Sequence, residues 1–177
     1  MSEQLIPKRA AESATEMVQV VLPNDANPLG FILGGTVMHL IDIAGAIACH
    51  RHTRSLLVTA AVDGLQFLHP IKVGDLIILK ARVTAAWSTS LEVEVEVFSE
   101  ETLTGVRRMT SRAYLTFVAI DRDNRRLAIP GLILESAEEK QRALDAEQRR
   151  AERLKARREL EARPQLDTDL TATDKHR

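Results

Sequence analysis

The feature that most constrains this chain is an apolar segment of helical length, residues 36–49, with a single carboxylate, Asp42, near its middle. Apolar residues lie on all sides of a helix drawn through this segment, which predicts a helix buried over most of its surface. Asp42 lies about two turns beyond Gly34, too far from the helix start to serve as an N-cap. A buried charge is costly, so Asp42 has to be paired, protonated or in contact with a ligand.

A polar turn precedes the helix and ends in two adjacent glycines, Gly34 and Gly35. The turn contains Asp25 and Asn27, and side chains of this type ordinarily bond their own backbone in turns. The glycines have no Cβ, so a ligand can come close to the backbone N–H groups at the positive end of the helix. The turn and helix together therefore form a candidate site.

Composition limits the classes of function. The chain has 177 residues, of which 45% are hydrophobic, which predicts one domain with a core and a possible appendage. A net charge of −1 with mixed signs disfavours nucleic acid as a partner. A single cysteine excludes an internal disulfide, and the first residues lack the apolar run of a signal peptide. We therefore expect a cytoplasmic, soluble protein with no membrane contact.

The rest of the sequence predicts an antiparallel sheet. Alternating or β-branched runs separated by turn residues predict five strands, at residues 15–22, 56–68, 76–86, 91–98 and 107–120. A bulge is expected near Asp63 and Gly64. The fold class is therefore α+β, with the apolar helix wrapped by a curved antiparallel sheet. One sheet covers one side of a helix, so we expect a second copy of the chain to cover the other side.

Four regions follow from this pattern. Residues 1–14 are polar and are expected to be a flexible arm, residues 15–134 form the domain, residues 135–163 form a charged C-terminal helix, and residues 164–177 form a polar tail. The arginines of the charged helix are balanced by nearby glutamates, which favours a solvated helix.

Three motifs lie within residues 15–130: Asn27-x-x-Gly30 followed by Gly34-Gly35, Met38-x-x-x-Asp42-x-Ala-Gly45, and Phe67-x-x-Pro70-x-x-x-Gly74-Asp75. Together they mark a resemblance to the hot-dog-fold acyl-coenzyme A thioesterases, in the bacterial short-chain and brain-type group. It implies a hot-dog fold, homodimers that join two sheets edge to edge, often three such dimers per assembly, and hydrolysis of acyl-CoA without a metal or other cofactor. It also implies that Asp42 is the catalytic carboxylate and Asn27 the active-site asparagine, with N–H groups of Gly34 and Gly35 at the thioester oxygen.

The spacing along the helix constrains such a site. Gly34 and Asp42 are separated by about 12 Å at roughly 1.5 Å per residue, so they cannot both contact one carbonyl group from the same chain. If both are catalytic, two copies of the chain have to share the site. Whether Asp42 attacks the thioester directly or activates water is left open.

Coenzyme A carries a 3′-phosphate and a pyrophosphate, so we expect a rim of cationic and hydroxyl side chains. The candidates are Ser88, Thr89 and Ser90 in one hairpin and Arg107, Arg108 and Arg112 in one strand. A solvated hairpin and strand end is an equally good interpretation of the same residues.

Two other interpretations remain. A hydratase or dehydratase of the same fold needs a histidine with a carboxylate, and His39 lies one turn before Asp42. A non-catalytic acyl-CoA sensor would bind the ligand and release no thiol. Cys49 is more consistent with the core than with a nucleophile, and the spacing of the histidines does not suit a metal.

Overall fold

The structure is a computed structural model that describes residues 5–162. The predicted polar tail, the last residue of the predicted charged helix and the first four residues of the arm lie outside the described residues. Within them the elements are β1 Lys8–Arg9, β2 Thr15–Val20, α1 Gly34–Thr53, β3 Leu56–Phe67, β4 Leu76–Ala86, β5 Ser90–Glu100, β6 Arg107–Ile120, β7 Leu132–Ile133 and α2 Ala137–Glu161.

Five strands form one antiparallel sheet in the order β2-β4-β5-β6-β3, which curves around α1. The predicted α+β hot-dog architecture is confirmed. The pairing of β3 with β6 shifts between Asp63 and Gln66, and Gly64 has a φ of 64°, so the predicted bulge is also present. β2 and β3 are the two edges of the sheet.

The core lies between α1 and the inner face of the sheet. Ile41 and Ala44 on the helix are buried, as are Val93 and Phe117 on the strands. The helix and sheet meet most closely at Gly45, where a Cβ atom would lie 3.1 Å from Val93 Cγ1 and 3.2 Å from the Phe117 ring. A small residue is needed there because the core is packed to contact distance.

The opposite side of α1 is only half covered by its own chain. Asp42, Ile43 and Ile47 are half-buried, and Met38 is 48% exposed. The adjacent edge strand β3 also leaves apolar side chains in solvent, with Leu56, Val58 and Val62 between 43% and 52% exposed. Of these, Val62 lies on the α1 side of the strand, whereas Leu56 and Val58 alternate to the outer side, so the half-covered helix and both sides of the edge strand lack a cover in the described residues.

The N-terminal segment differs from the predicted flexible arm. Lys8–Arg9 pair in parallel with Leu132–Ile133, and a 3-10 turn follows at Ala10–Ser13. Ser13 is buried, and its hydroxyl accepts a hydrogen bond from the backbone N–H of Val83 at 2.9 Å. The polar composition of the segment concealed this packing, because the residues that make it are small.

The charged helix is not the solvated helix that its composition suggested. α2 starts with a capping box in which Ser136 and Glu139 bond each other's backbone N–H groups. The helix lies across the outer face of the sheet, where Arg149 donates two hydrogen bonds to Glu92, at 2.7 and 3.1 Å. Glu92 is fully buried. The solvated-helix prediction was wrong for Arg149 and Arg153, which pair with carboxylates of the sheet, while Arg157 pairs within the helix and Arg158 is exposed.

Candidate active site

The turn before α1 fixes the side chain of Asn27. Its Oδ1 accepts hydrogen bonds from the backbone N–H groups of Leu29 at 3.0 Å and Phe31 at 3.2 Å. The backbone closes the turn as well, since Gly30 donates to the Asn27 carbonyl at 2.9 Å with a φ of 79°. Because its oxygen is occupied in this way, Asn27 presents its amide N–H groups to a ligand.

The start of α1 is open to a ligand. Leu33 occupies the N-cap position and provides no side-chain hydrogen bond, so the first N–H groups, including those of Gly34 and Gly35, have no cap from it. Gly34 lies close to the Phe67 ring, while Gly35 has open space where a Cβ would be. The helix start is therefore a set of uncapped donors at the positive end of a helix that is 20 residues long.

Asn27 and Gly34 line one cavity of about 320 Å³. The wall of this cavity is mostly apolar and includes Val37, Phe67 and Ile71. Ser111 also lines it, and its buried hydroxyl has no hydrogen-bond partner within residues 5–162. An apolar pocket with a few convergent donors is the usual form of a small-molecule site.

Asp42 lies on the half-covered side of α1, away from this cavity. Its carboxylate accepts a hydrogen bond of 2.6 Å from the hydroxyl of Thr59, on the edge strand β3. No hydrogen bond or ion pair joins Asp42 to His39 in the described part of the chain, and His39 is exposed. The pairing that a hydratase would require is therefore not formed.

Thr59 was not among the site residues that the sequence predicted. Threonine is common in strands, and nothing in the residues 56–68 distinguishes this one from a structural residue. Only the register of β3 against β6, which places Thr59 opposite Phe117 on the inner face, brings its hydroxyl to Asp42.

Comparisons with known proteins agree with this geometry. The family model described as the thioesterase superfamily matches residues 29–106. An uncharacterised acyl-CoA thioester hydrolase of Bacillus subtilis, YkhA, is 35% identical over 151 residues, which are 85% of this chain and 88% of that protein. The chain belongs to the thioesterase superfamily.

Solved thioesterases share the fold. An apo-hexameric acyl-CoA thioesterase is similar with a TM-score of 0.82 and 36% identity, over 86% of this chain and 97% of that one. The Staphylococcus aureus acyl-CoA hydrolase, solved with butyryl coenzyme A, coenzyme A and coenzyme A disulfide, has a TM-score of 0.77 and 33% identity, over 87% of this chain and 96% of that one. Further structures of the Staphylococcus enzyme replace an aspartate, an asparagine or a threonine by alanine.

The six residues proposed for coenzyme A are not brought together in this thioesterase. Ser90 and Glu100 are the two ends of β5, roughly 33 Å apart at about 3.3 Å per residue, and Arg107 pairs with Glu100. Arg107 donates to Glu100, and Arg112 donates to Glu96 at 2.6 Å. Ser88, Thr89 and Ser90 instead line a cavity beneath α2.

A further prediction about this thioesterase concerns Cys49. Cys49 is buried in the core, where burial and, secondly, the Asp42 carboxylate raise the pKa of its thiol well above the ordinary value. It is therefore kept in the protonated form, as expected for a core cysteine rather than a nucleophile.

Among residues 5–162 no three side chains form a metal-binding group, and no helix is long and apolar enough to cross a membrane. The cytoplasmic location stays a prediction.

Proposed function

We propose that this thioesterase hydrolyses acyl-coenzyme A to free coenzyme A and a carboxylic acid, at a site that two copies of the chain complete together. One observation supports the proposal: Asn27 with the open helix start, and Asp42 with Thr59, lie at two places along α1 that are about 12 Å apart, each with groups suited to one part of thioester hydrolysis. Asn27 and the helix start form one half, and Asp42 with Thr59 forms the other. The likeness to acyl-CoA hydrolases supports the class of substrate.

The helix-start half stabilises negative charge. When the thioester carbonyl is attacked, its oxygen becomes an anion, and the amide of Asn27 with the N–H groups of Gly34 and Gly35 can donate to that oxygen. Donors of this kind act best when they are held in place before the reaction. The two backbone hydrogen bonds to Asn27 Oδ1 hold the amide in this way.

The Asp42 half provides the attacking group. The carboxylate either attacks the carbonyl carbon or takes a proton from the water that does, and the coenzyme A thiolate leaves with a proton. Thr59 orients the carboxylate by donating a hydrogen bond to Oδ1, which leaves the second oxygen for chemistry. In either route one water is consumed, and one acid and one thiol are formed.

The uncovered apolar side chains of β3 support the dimer. Pairing of two β3 edges would cover Leu56, Val58 and Val62 and would bring α1 of each copy next to the other. Asp42 of one copy would then face the helix start of its partner. Three such dimers per assembly are also part of this proposal, which the hexameric relative supports.

Mixed dimers test the shared site. Asp42→Ala and Asn27→Ala chains, each with its own affinity tag, are co-expressed and purified on both tags, and thiol release from an acyl-CoA is measured. Either variant alone is expected to lose about 100-fold or more in kcat. A mixed dimer contains one chain with an intact Asp42 and one with an intact Asn27, so about one of its two sites should recover.

Asp123→Ala is the matched control, because that carboxylate is 71% exposed in a turn and should be dispensable. Mixed dimers as inactive as their parents would contradict the shared site but would not contradict the hydrolysis reaction.

Mass analysis of the products tests the reaction itself. A hydrated or dehydrated acyl-CoA in place of the free acid would contradict hydrolysis.

A further inference from the structure

A second cavity, of about 510 Å³, lies between α2 and the outer face of the sheet. Among residues 5–162, its lining includes four arginines, Arg126 from the turn after β6 and Arg150, Arg153 and Arg157 from α2, and no carboxylate. The cavity is on the face opposite to α1. We define it as the arginine cavity.

The charge of the arginine cavity is only partly neutralised by its surroundings. Arg153 donates to Asp63 at 2.5 Å, and Arg157 donates to Glu161 at 2.7 Å. Arg150 lies over the ring of Trp87 at 4.5 Å. Within residues 5–162, neither Arg126 nor Arg150 forms an ion pair with any carboxylate. Two of the four positive charges are therefore available to an anionic ligand.

The neighbouring part of α2 shows that this surplus is local. Nearer the start of α2 than the cavity arginines, Arg142 forms an ion pair with the buried Glu94 of β5, and Arg149 forms one with the buried Glu92. Beyond Glu92 the outer face of β5 presents Ser90. Arg150, Arg153 and Arg157 therefore lie over a part of the sheet where β5 has no further carboxylate on its outer face. In this part the positive charges of α2 outnumber the negative charges of β5.

A buried hydroxyl in the cavity also has no partner. Thr116 lines the arginine cavity and is 6% exposed, and its Oγ1 makes no hydrogen bond within the described residues. A buried polar group without a partner costs free energy, which a bound ligand would recover. Ser88, Thr89 and Ser90 add three more hydroxyls on a hairpin that backbone hydrogen bonds hold in place.

We propose that the arginine cavity binds a phosphate-bearing ligand of nucleotide size. Arginine guanidinium groups donate two parallel hydrogen bonds to phosphate oxygens, and serine and threonine hydroxyls complete such sites. The volume is in the range of small-molecule pockets. The apolar side chains of Val118, Leu154 and Leu160 provide a wall for a base or a similar ring.

The ligand has two possible sources. It is either the phosphorylated nucleotide end of the coenzyme A substrate or a separate nucleotide. The cavity adjoins the proposed active site along β3, since Ala60 lines the cavity and follows Thr59, whose hydroxyl bonds Asp42. Binding at the cavity does not depend on the proposed hydrolysis, and it is measured without turnover.

Ligand binding at the arginine cavity can be measured by the fluorescence of Trp87. Trp87 is the single tryptophan of the chain, and Arg150, which lines the cavity, lies over its ring. Titration with adenosine 3′,5′-bisphosphate should give a saturable change in tryptophan fluorescence, and adenosine should give none. Arg126→Gln should weaken binding about tenfold, the expected effect of losing one charged hydrogen bond.

Arg158→Gln is the matched control, because Arg158 is exposed on the same helix and is not part of the cavity wall. It should bind the bisphosphate like the wild type. The absence of a saturable signal, or equal weakening by Arg158→Gln, would overturn the proposal. Equal affinity for adenosine would overturn it too.

Turnover separates the two sources once binding is established. If the cavity holds the end of the substrate, Arg126→Gln should raise the KM for an acyl-CoA relative to that for the matching acyl-pantetheine, which lacks the nucleotide. If the cavity holds a separate nucleotide, the bisphosphate should change the turnover of acyl-pantetheine by the wild type. Either outcome supports the site and assigns its ligand.

Discussion

The two helices cover the same sheet by opposite means. On the inner face, α1 packs Ile41, Ala44 and Ala48 against apolar side chains of the strands. On the outer face, α2 has a single buried residue, Ala146, and holds the sheet through arginines. Side chains of β5 alternate between these two faces: Val93 and Val95 pack on the α1 side, and Glu92 and Glu94 lie on the α2 side.

The difference has consequences for function. The apolar packing of α1 makes its position rigid, and a rigid helix is needed to hold both its open N-terminus and Asp42 at fixed places. The polar packing of α2 leaves room where its partners end, and the arginine cavity lies there. Substitutions at each interface test whether the two faces also differ in how much they contribute to the free energy of unfolding.

The largest effect is expected on the inner face. Phe117→Ala should lower the free energy of unfolding by about 3–5 kcal/mol, because Phe117 is 1% exposed and its ring fills the space beside Gly45. Urea denaturation measures the change. Leu103→Ala is the control, since Leu103 is 95% exposed and its loss should cost little. Equal costs for the two would show that α1 is not held by apolar packing.

The same contrast explains what the sequence could predict. Apolar and β-branched runs bounded by turn residues located β4 and β6 to the observed bounds, Leu76–Ala86 and Arg107–Ile120. The strict alternation of β5 showed that Glu92 and Glu94 share a face. It could not show what covers that face, since a charged helix can pair within itself or with a carboxylate distant in sequence.

The candidate site divides in the same way. Asp42 stood out because a carboxylate within an apolar helix violates a local rule, and such violations are visible in a sequence. Thr59 violates none. Its hydrogen bond to Asp42 depends on the register between two strands and on the position of α1, and neither is encoded within a few residues.

A smaller effect is expected on the outer face. Arg149→Ala should lower the free energy of unfolding by about 3 kcal/mol. This is the lower end of the cost of removing one partner from a buried ion pair, because the Arg149 side chain is itself 21% exposed. The substitution would leave Glu92 buried without its strongest donor and would remove the contact with the Tyr114 ring. Urea denaturation again measures the change.

A double variant completes this test. Arg149→Met with Glu92→Leu removes both charges, so it should be much more stable than Arg149→Ala. Arg158→Ala is the control for losing one arginine from an exposed part of the same helix. If the double variant were as unstable as Arg149→Ala, the cost would come from lost packing and not from an unpaired carboxylate.

The smallest effect is a pH dependence at the end of α1, where His52 is fully buried and its Nε2–H donates to the Pro130 carbonyl at 2.9 Å. Its Nδ1 has no partner within residues 5–162, and burial lowers the pKa of the imidazole below its ordinary value. Below about pH 6.5 the unfolded chain therefore binds a proton that the folded chain excludes. Stability should be unaffected above that pH and should fall below it, by at most about 1.4 kcal/mol per pH unit.

Urea denaturation between pH 8 and pH 5 measures this dependence. His52→Gln keeps a donor that can reach the Pro130 carbonyl and does not titrate, so it should remove this part of the slope. His50→Gln is the control, because His50 is exposed on the same turn of the helix and should leave the slope unchanged. A slope that survived in His52→Gln would show that the loss of stability in acid does not come from His52.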